Sequence, residues 1–239
     1  MGAARYMIDS GLLKNPRFVG VSGGAIVAAL AAFFPSRIED CLDVALKKQS
    51  FSKALETVAR QQSYLNSRDS TSVDIGAVDV VTGEMISFST FEDVDDLLEA
   101  VSASCYIPKD FHPFDLARRS MRYVDGYYYR NGRYYDGGLR EFLPINGSIC
   151  DRTLAISPFS VRVASKSVVV CCPDFNATNA LTVRLGDHAR FVCSMENLRR
   201  AVVATVGGSS EKMIQAFHRG ADDCRETIER RMRTTGALR

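Results

Sequence analysis

The sequence is poor in the groups on which several common chemistries depend. Its 239 residues hold three histidines, His112, His188 and His218, and none stands in a distinctive triad context. For each, a surface or packing role is the plainer reading. The seven cysteines, Cys41, Cys105, Cys150, Cys171, Cys172, Cys193 and Cys224, are odd in number. No pair has the two-residue separation or the accompanying histidines of a zinc site, so a structural zinc is excluded and a reducing compartment fits. No apolar run reaches the roughly 18 residues needed to span a bilayer. The start of the chain also lacks a basic region followed by an apolar signal core, so the protein reads as soluble or peripheral to a lipid surface. Lys+Arg 30 against Asp+Glu 28 leaves a formal charge of +2, which gives no bulk electrostatic reason to expect nucleic acid. Basic residues do gather after Arg184, and there a solvated helix face is the simpler reading. With no internal repeat, low-complexity tract or linker-like shift in composition, the length favours one domain.

What the sequence does have is a regular alternation of strand and helix signals. Residues 3–13 read as a short helix, and Pro16 separates it from the apolar pair Phe18-Val19, a strand running into glycines. Residues 25–34 are apolar on every side, as in a helix buried against a sheet, and Pro35 ends it. Residues 37–65 are more amphipathic and are expected to cover the outside. Residues 73–81 alternate apolar with small or polar residues, and Thr82-Gly83 then turns the chain into 85–89, a hairpin. Residues 91–104 have helical spacing with acidic residues in the first turns, and Pro108 stops the helix. Residues 109–135 are aromatic and basic with poor periodicity, and read as a long loop with strand fragments at 121–124 and 133–135. Residues 153–157 and 167–171 read as short buried strands. Met213, Phe217, Ala221, Cys224 and Ile228 place a packed amphipathic helix near the end. The sum is an α/β layered fold.

The chemistry is concentrated in one turn. Gly20-Val-Ser-Gly-Gly24 matches G-x-S-x-G, and between a strand and an apolar helix that pattern is a nucleophile elbow. Gly20, Gly23 and Gly24 remove Cβ atoms, so the backbone can turn sharply while an exposed Ser22 hydroxyl is presented. The helix that follows offers unpaired N–H groups and a positive dipole end to an oxyanion, the Gly23 N–H first among them. The plain alternative is a glycine-serine turn with no chemistry. A nucleophilic serine also needs a base, and Tyr134-Tyr-Asp-Gly-Gly-Leu-Arg-Glu-Phe-Leu-Pro144 supplies Asp136 at a strand end. Gly137 and Gly138 after it allow a close approach to a serine without an imidazole relay. Asp-Gly is also a common turn dipeptide, which is the plain reading of this motif. Val124-Asp-Gly126 offers Asp125 as a competitor, but only Asp136 is followed by a second glycine and a Leu-Pro.

Taken together, G-x-S-x-G opening a small-residue helix, then D-G-G and L-P far downstream, resembles the patatin-like acyl hydrolases. Ser104-Cys-Tyr-Ile-Pro108, Tyr135-Asp-Gly-Gly-Leu139, Leu143-Pro144, Ile156-Ser-Pro-Phe-Ser160 and Met195-Glu-Asn-Leu-Arg199 are similar, in the same order, to segments of the subgroup containing adipose triglyceride lipase and adiponutrin. The resemblance runs from about Met1 to Arg231. It implies one domain over residues 1–239, with a central, mostly parallel sheet flanked by helices. It also implies a Ser22-Asp136 dyad that hydrolyses or transfers an acyl group of a glyceride, phospholipid or related lipid ester. No metal or organic cofactor is implied, and no nucleic acid. The implied surroundings are cytoplasmic, at a lipid droplet or membrane surface, with room for a protein activator of unknown kind.

Two departures from the family pattern shape the expectations. The family opens with a strand and a glycine-rich loop whose N–H groups form the oxyanion hole. The sequence given starts at Met1-Gly2-Ala3, so the first strand is expected to be missing and the chain to be N-terminally truncated relative to the family. Losing that loop would leave a catalytically impaired lipid-binding protein as the alternative function. Second, residues 125–133 look like an insertion, read as a solvated hairpin extension or as tyrosines and arginines meeting lipid head groups. A conventional α/β-hydrolase, with Asp136 followed by His188 or His218, is the third reading.

Overall fold

The computed structural model describes residues 1–48, 50–61, 72–111, 125–144, 153–163, 168–173, 181–186, 189–206 and 209–235. The chain divides into two compact units, Leu13–Pro144 and a second that joins Met1–Leu12 to Ile145–Arg239.

In the Leu13–Pro144 unit, strand β1 (Arg17–Val21) leads through Ser22 into helix α2 (Gly23–Phe33). The alanines of α2 fit it to a flat sheet: Ala25, Ile26, Ala28, Ala29, Leu30 and Ala31 are all buried. Pro35 begins a single 3-10 turn where α2 ends, since its ring cannot continue a helix. The amphipathic stretch after it is two helices, α3 (Ile38–Lys48) and α4 (Phe51–Arg60). The second starts afresh because the Ser50 hydroxyl caps it, accepting from the Lys53 N–H at 3.3 Å.

Strand β2 (Ser72–Asp79) then turns into β3 (Met85–Phe88), the expected hairpin. Asp79 Oδ1 accepts from the N–H groups of Val81 (2.9 Å) and Thr82 (2.7 Å), and Gly83 takes a left-handed φ of 69°. Helix α5 (Val94–Ser104) is capped by Asp93, which accepts from the Asp96 N–H at 2.8 Å. Strands β4 (Tyr127–Tyr129) and β5 (Gly132–Asp136) form a second hairpin, in agreement with the strand fragment at 133–135 and the hairpin extension read from the sequence, within a segment otherwise expected to be loop. The strand expected at 121–124 lies outside the described residues.

This hairpin is tied down rather than solvated throughout. Tyr127 and Tyr129 donate to Glu99 and Asp96, each at 2.7 to 2.8 Å. Arg130, at the turn, pairs with Asp96 at 2.9 Å and lies 5.0 Å from the centre of the Tyr129 ring. Tyr128 alone of the three tyrosines is exposed.

β2 is the organising strand. Along one edge it pairs with β3, and its other edge is shared end to end by β1, over Ser72 to Gly76, and β5, over Ala77 to Asp79. β1 runs parallel to β2, and β5 antiparallel. The mostly parallel sheet expected from the resemblance is therefore corrected to a mixed one: among the described residues two of seven ladders are parallel. The hairpins β2-β3 and β4-β5 are antiparallel by their short turns, β5 returns antiparallel to β2, and only the crossover through α2 to α4 gives a parallel pair in this sheet. Helices α2 and α5 pack against it.

The other unit begins with α1 (Gly2–Asp9), which packs along α7 (Ser210–Thr235). A Cβ on Gly2 would stand 1.8 Å from the Phe217 carbonyl oxygen, so the first glycine serves a close helix contact. Strands β6 (Thr153–Ile156) and β8 (Val168–Cys171) form a parallel pair. Strands β7 (Val161–Val163), β9 (Thr182–Leu185) and β10 (Ala189–Val192) form a three-stranded antiparallel sheet in the order β7-β10-β9. Helix α6 (Met195–Val206) follows. Its buried Asn197 donates to the carbonyls of Ser160 (3.0 Å) and Val192 (2.8 Å) and accepts from the Ser160 N–H (3.0 Å). Every polar atom of that side chain is thereby satisfied, apart from a second lone pair.

Candidate active site

The strand arrangement determines what meets Ser22. β1 ends at Val21, opposite Gly76, and β5 ends at Asp136, opposite the next residue, Ala77. The two strands run toward each other along the same edge of β2, so the residue leaving β1 and the residue ending β5 converge at Gly76-Ala77. The Ser22 side chain is thereby close enough to the Asp136 carboxylate to favour its ionised form.

Ser22 has φ 54° and ψ −133°, backbone angles that a residue with a side chain rarely adopts. Two features hold it there. A Cβ on Gly20 would stand 2.2 Å from the Gly24 carbonyl oxygen, so only glycine permits strand and helix to close the turn this tightly. The second is Ser104, fully buried at the end of α5, whose hydroxyl accepts from the Ser22 N–H (2.9 Å) and donates to the Gly76 carbonyl (2.6 Å). One hydroxyl thus joins the elbow to the β2 residue at which the two strands converge.

Asp136 is 4% exposed. Burial raises its pKa to about 6, although the nearby Ser22 side chain and a hydrogen bond from the Gly138 N–H (2.7 Å) favour the ionised form. No cation offsets the desolvation among the causes of that shift. Its own N–H is held by the Tyr106 carbonyl at 2.7 Å, which connects β5 to the segment after α5. Gly137 and Gly138 keep the approach close. A Cβ on Gly138 would lie 3.1 Å from Asp136 Oδ1 and 3.6 Å from Ser22 Cβ. Gly23 and Gly24 differ: a Cβ on either would meet nothing within 4 Å, and both residues are exposed. As the first residues of α2 they carry N–H groups with no intrahelical acceptor.

The competing residues stand elsewhere. Asp125 accepts from the Tyr106 hydroxyl at 2.7 Å, and that hydrogen bond holds its carboxyl below the usual range. His218 is on α7, in the other unit. His112 and His188 lie outside the described residues. Sequence reasoning gave Ser104 no role, although a signal was present: Leu97, Ala100, Val101 and Ser104 recur at helical spacing, and a serine at the end of a buried stripe requires partners.

No family model matches the chain. It is 27% identical over 243 aligned residues to Patatin-like phospholipase domain-containing protein 4 of Homo sapiens, covering 93% of this chain and 88% of that protein. The similarity supports a patatin-like relationship along nearly the whole chain, and a mixed α/β sheet flanked by helices agrees with it. The narrower lipase and adiponutrin subgroup rests on the sequence motifs alone. Among the described residues no helix is long and apolar enough to cross a membrane.

Proposed function

We propose that the chain is a lipid acyl hydrolase in which Ser22 is the nucleophile and Asp136 the base, over one hydrolase domain of residues 1–239. The observation that carries this is the convergence, at Gly76-Ala77, of a serine at a left-handed elbow and a buried aspartate with a pKa near 6. A base poised close to neutral pH is mostly ionised, yet still a competent acid once protonated.

In the proposed cycle Asp136 takes the hydroxyl proton as Ser22 Oγ bonds to the ester carbonyl carbon. The N–H groups of Gly23 and Gly24 face the oxyanion. As the tetrahedral intermediate collapses, the C–O bond to the alcohol breaks and Asp136 returns the proton to the departing oxygen. Water then attacks the acyl-serine, gives its proton to Asp136, and the fatty acid leaves as Ser22 is reprotonated. The cycle uses no metal or organic cofactor. The substrate class is a glyceride or phospholipid ester, met in lipid catabolism at a cytoplasmic lipid droplet or membrane surface, as in the adipose triglyceride lipase and adiponutrin subgroup.

The test is fluorophosphonate labelling followed by hydrolysis of a short-chain nitrophenyl ester. Labelling mapped to Ser22, with turnover abolished in Ser22→Ala and Asp136→Asn, is the expected result. Activity surviving in Ser22→Ala would end the dyad reading. An unlabelled, inactive protein that still binds lipid would leave the impaired binding protein in its place.

A further inference from the structure

The unit of Met1–Leu12 and Ile145–Arg239 brings together two free cysteines that the dyad does not use. Strand β8 has a single buried residue, Cys171 at its end. Along the described side chains of α7 the single buried residue is Cys224. The two elements pack against each other, so each presents its one enclosed position, a thiol, to the interior of the same unit.

The side chains around Cys171 identify which face of α7 meets it. Cys224 and Thr227, three residues apart and therefore on one helix face, both act on the Cys171 thiol. Each cysteine is also the foremost influence on the other: Cys171 holds the Cys224 thiol below its ordinary value against the effect of burial, and Cys224, together with burial, pushes Cys171 up. Both backbones are anchored. Cys171 stands opposite Ile156 in the β6-β8 ladder and its carbonyl accepts from the Ser157 N–H at 3.0 Å, while Cys224 is well inside a 26-residue helix.

Other cysteines do not compete for the same contact. Cys172 has its Sγ 3.8 Å from the Val161 carbonyl, and Cys41 and Cys105 belong to the Leu13–Pro144 unit. A solitary buried cysteine behaves as a small apolar side chain. Two thiols held together can instead be joined, because the first to be oxidised has its resolving partner already beside it.

We propose that Cys171 and Cys224 form a redox-sensitive pair, which a small hydroperoxide converts into a disulfide that staples α7 to β8. Their enclosure restricts the oxidant to a small molecule. The Cys224 sulfur attacks the peroxide, forming an S–O bond as the O–O bond breaks, and its thiol proton leaves with the departing oxygen as an alcohol, or as water from hydrogen peroxide. The Cys171 sulfur then attacks the sulfenic sulfur. The S–S bond forms, the S–O bond breaks, and the hydroxide takes the Cys171 proton to leave as water. Two thiols give up the two electrons that reduce one peroxide.

The disulfide closes a loop that includes β9, β10 and α6, and a long closed loop restricts the unfolded chain most. The proposal uses neither Ser22 nor Asp136, and its test does not involve hydrolysis. The intact folded chain is treated with hydrogen peroxide, digested without reduction and mapped by mass spectrometry, and its thermal unfolding is followed before and after.

A cross-linked peptide joining Cys171 to Cys224 is expected, lighter by about 2 Da than the two thiol peptides. The unfolding midpoint should rise by about 10 °C and return to its starting value on treatment with dithiothreitol. Cys171→Ala and Cys224→Ala should each abolish the link and the rise, whereas Cys172→Ala should retain both. The measurement on the parent needs no variant, so poor folding of an alanine variant leaves it decisive. A link that forms only after urea has unfolded the chain would overturn the proposal. So would pairing of Cys224 with Cys172 in the folded parent, or a linked protein that unfolds at the same temperature as the reduced one.

Discussion

Two aspartates in the same sheet expose almost no surface, yet their pKa values are shifted in opposite directions. Asp74 on β2 is 3% exposed, and Asp136 on β5 is 4% exposed. Burial pushes both carboxyls up. At Asp74 the hydrogen bonds from the Arg17 guanidinium and the Ser89 hydroxyl (2.6 Å) outweigh burial, and its pKa falls below the usual range. At Asp136 a hydroxyl and one backbone N–H do not outweigh it, and the pKa rises to about 6. The difference teaches that low surface exposure alone does not mark a reactive carboxylate: Asp136 is the more deeply enclosed of the two and also has no cation to offset its desolvation. Asp74 is paired and structural, whereas Asp136 is left able to exchange a proton near neutral pH.

The largest expected effect comes from removing the exchangeable proton. Asp136→Asn should lower ester turnover by on the order of 10³-fold or more, measured as kcat with a nitrophenyl ester. The same measurement against pH should show kcat/KM of the parent rising through about pH 6, because the base must be ionised. A flat profile from pH 5 to 8 would erase the contrast between the two aspartates.

Stability should respond with opposite signs. Between an unfolded pKa of about 4 and a folded pKa of about 6, the native state binds more protons at Asp136, so its contribution falls as pH rises through that window. Asp136→Asn should therefore be more stable than the parent at pH 7, by about 2 kcal/mol in urea unfolding. Asp74 is the reverse case, because its lowered pKa contributes stability that is present above pH 4 and lost as pH falls through the folded value. Arg17→Gln leaves that buried carboxylate uncompensated and should cost about 3 kcal/mol at pH 7. No loss there would show that the pair is immaterial.

Ser104→Ala should cost about 2 kcal/mol, since it orphans both the Ser22 N–H and the Gly76 carbonyl. It should also lower kcat about tenfold with KM little changed, because the elbow is no longer braced. Equal changes in both constants would point to loss of packing instead. The smallest effect is Ser89→Ala, about 1 kcal/mol, with ester turnover unchanged.

Much of this was legible in the chain itself. The glycine-serine turn, the alanine-rich helix after it and the hairpin at Thr82-Gly83 are local patterns, each fixed by backbone freedom or hydrophobic period within a few residues. Ser22 and Asp136 could be named because glycine patterns mark close approach. The β4 and β5 hairpin was legible only in part, as a strand fragment at 133–135 and a hairpin extension; what anchors it was not, since its tyrosines are held by Asp96 and Glu99, some thirty residues away in sequence.

The sequence by itself determined which residues could be nucleophile and base, because side-chain type and glycine spacing are local properties. Only the tertiary structure decided that β1 and β5 meet end to end along β2, that Ser104 braces the elbow, and that Arg17 faces Asp74 rather than Asp136. A pKa is set by everything packed around a group, and that packing brings together residues the chain keeps far apart.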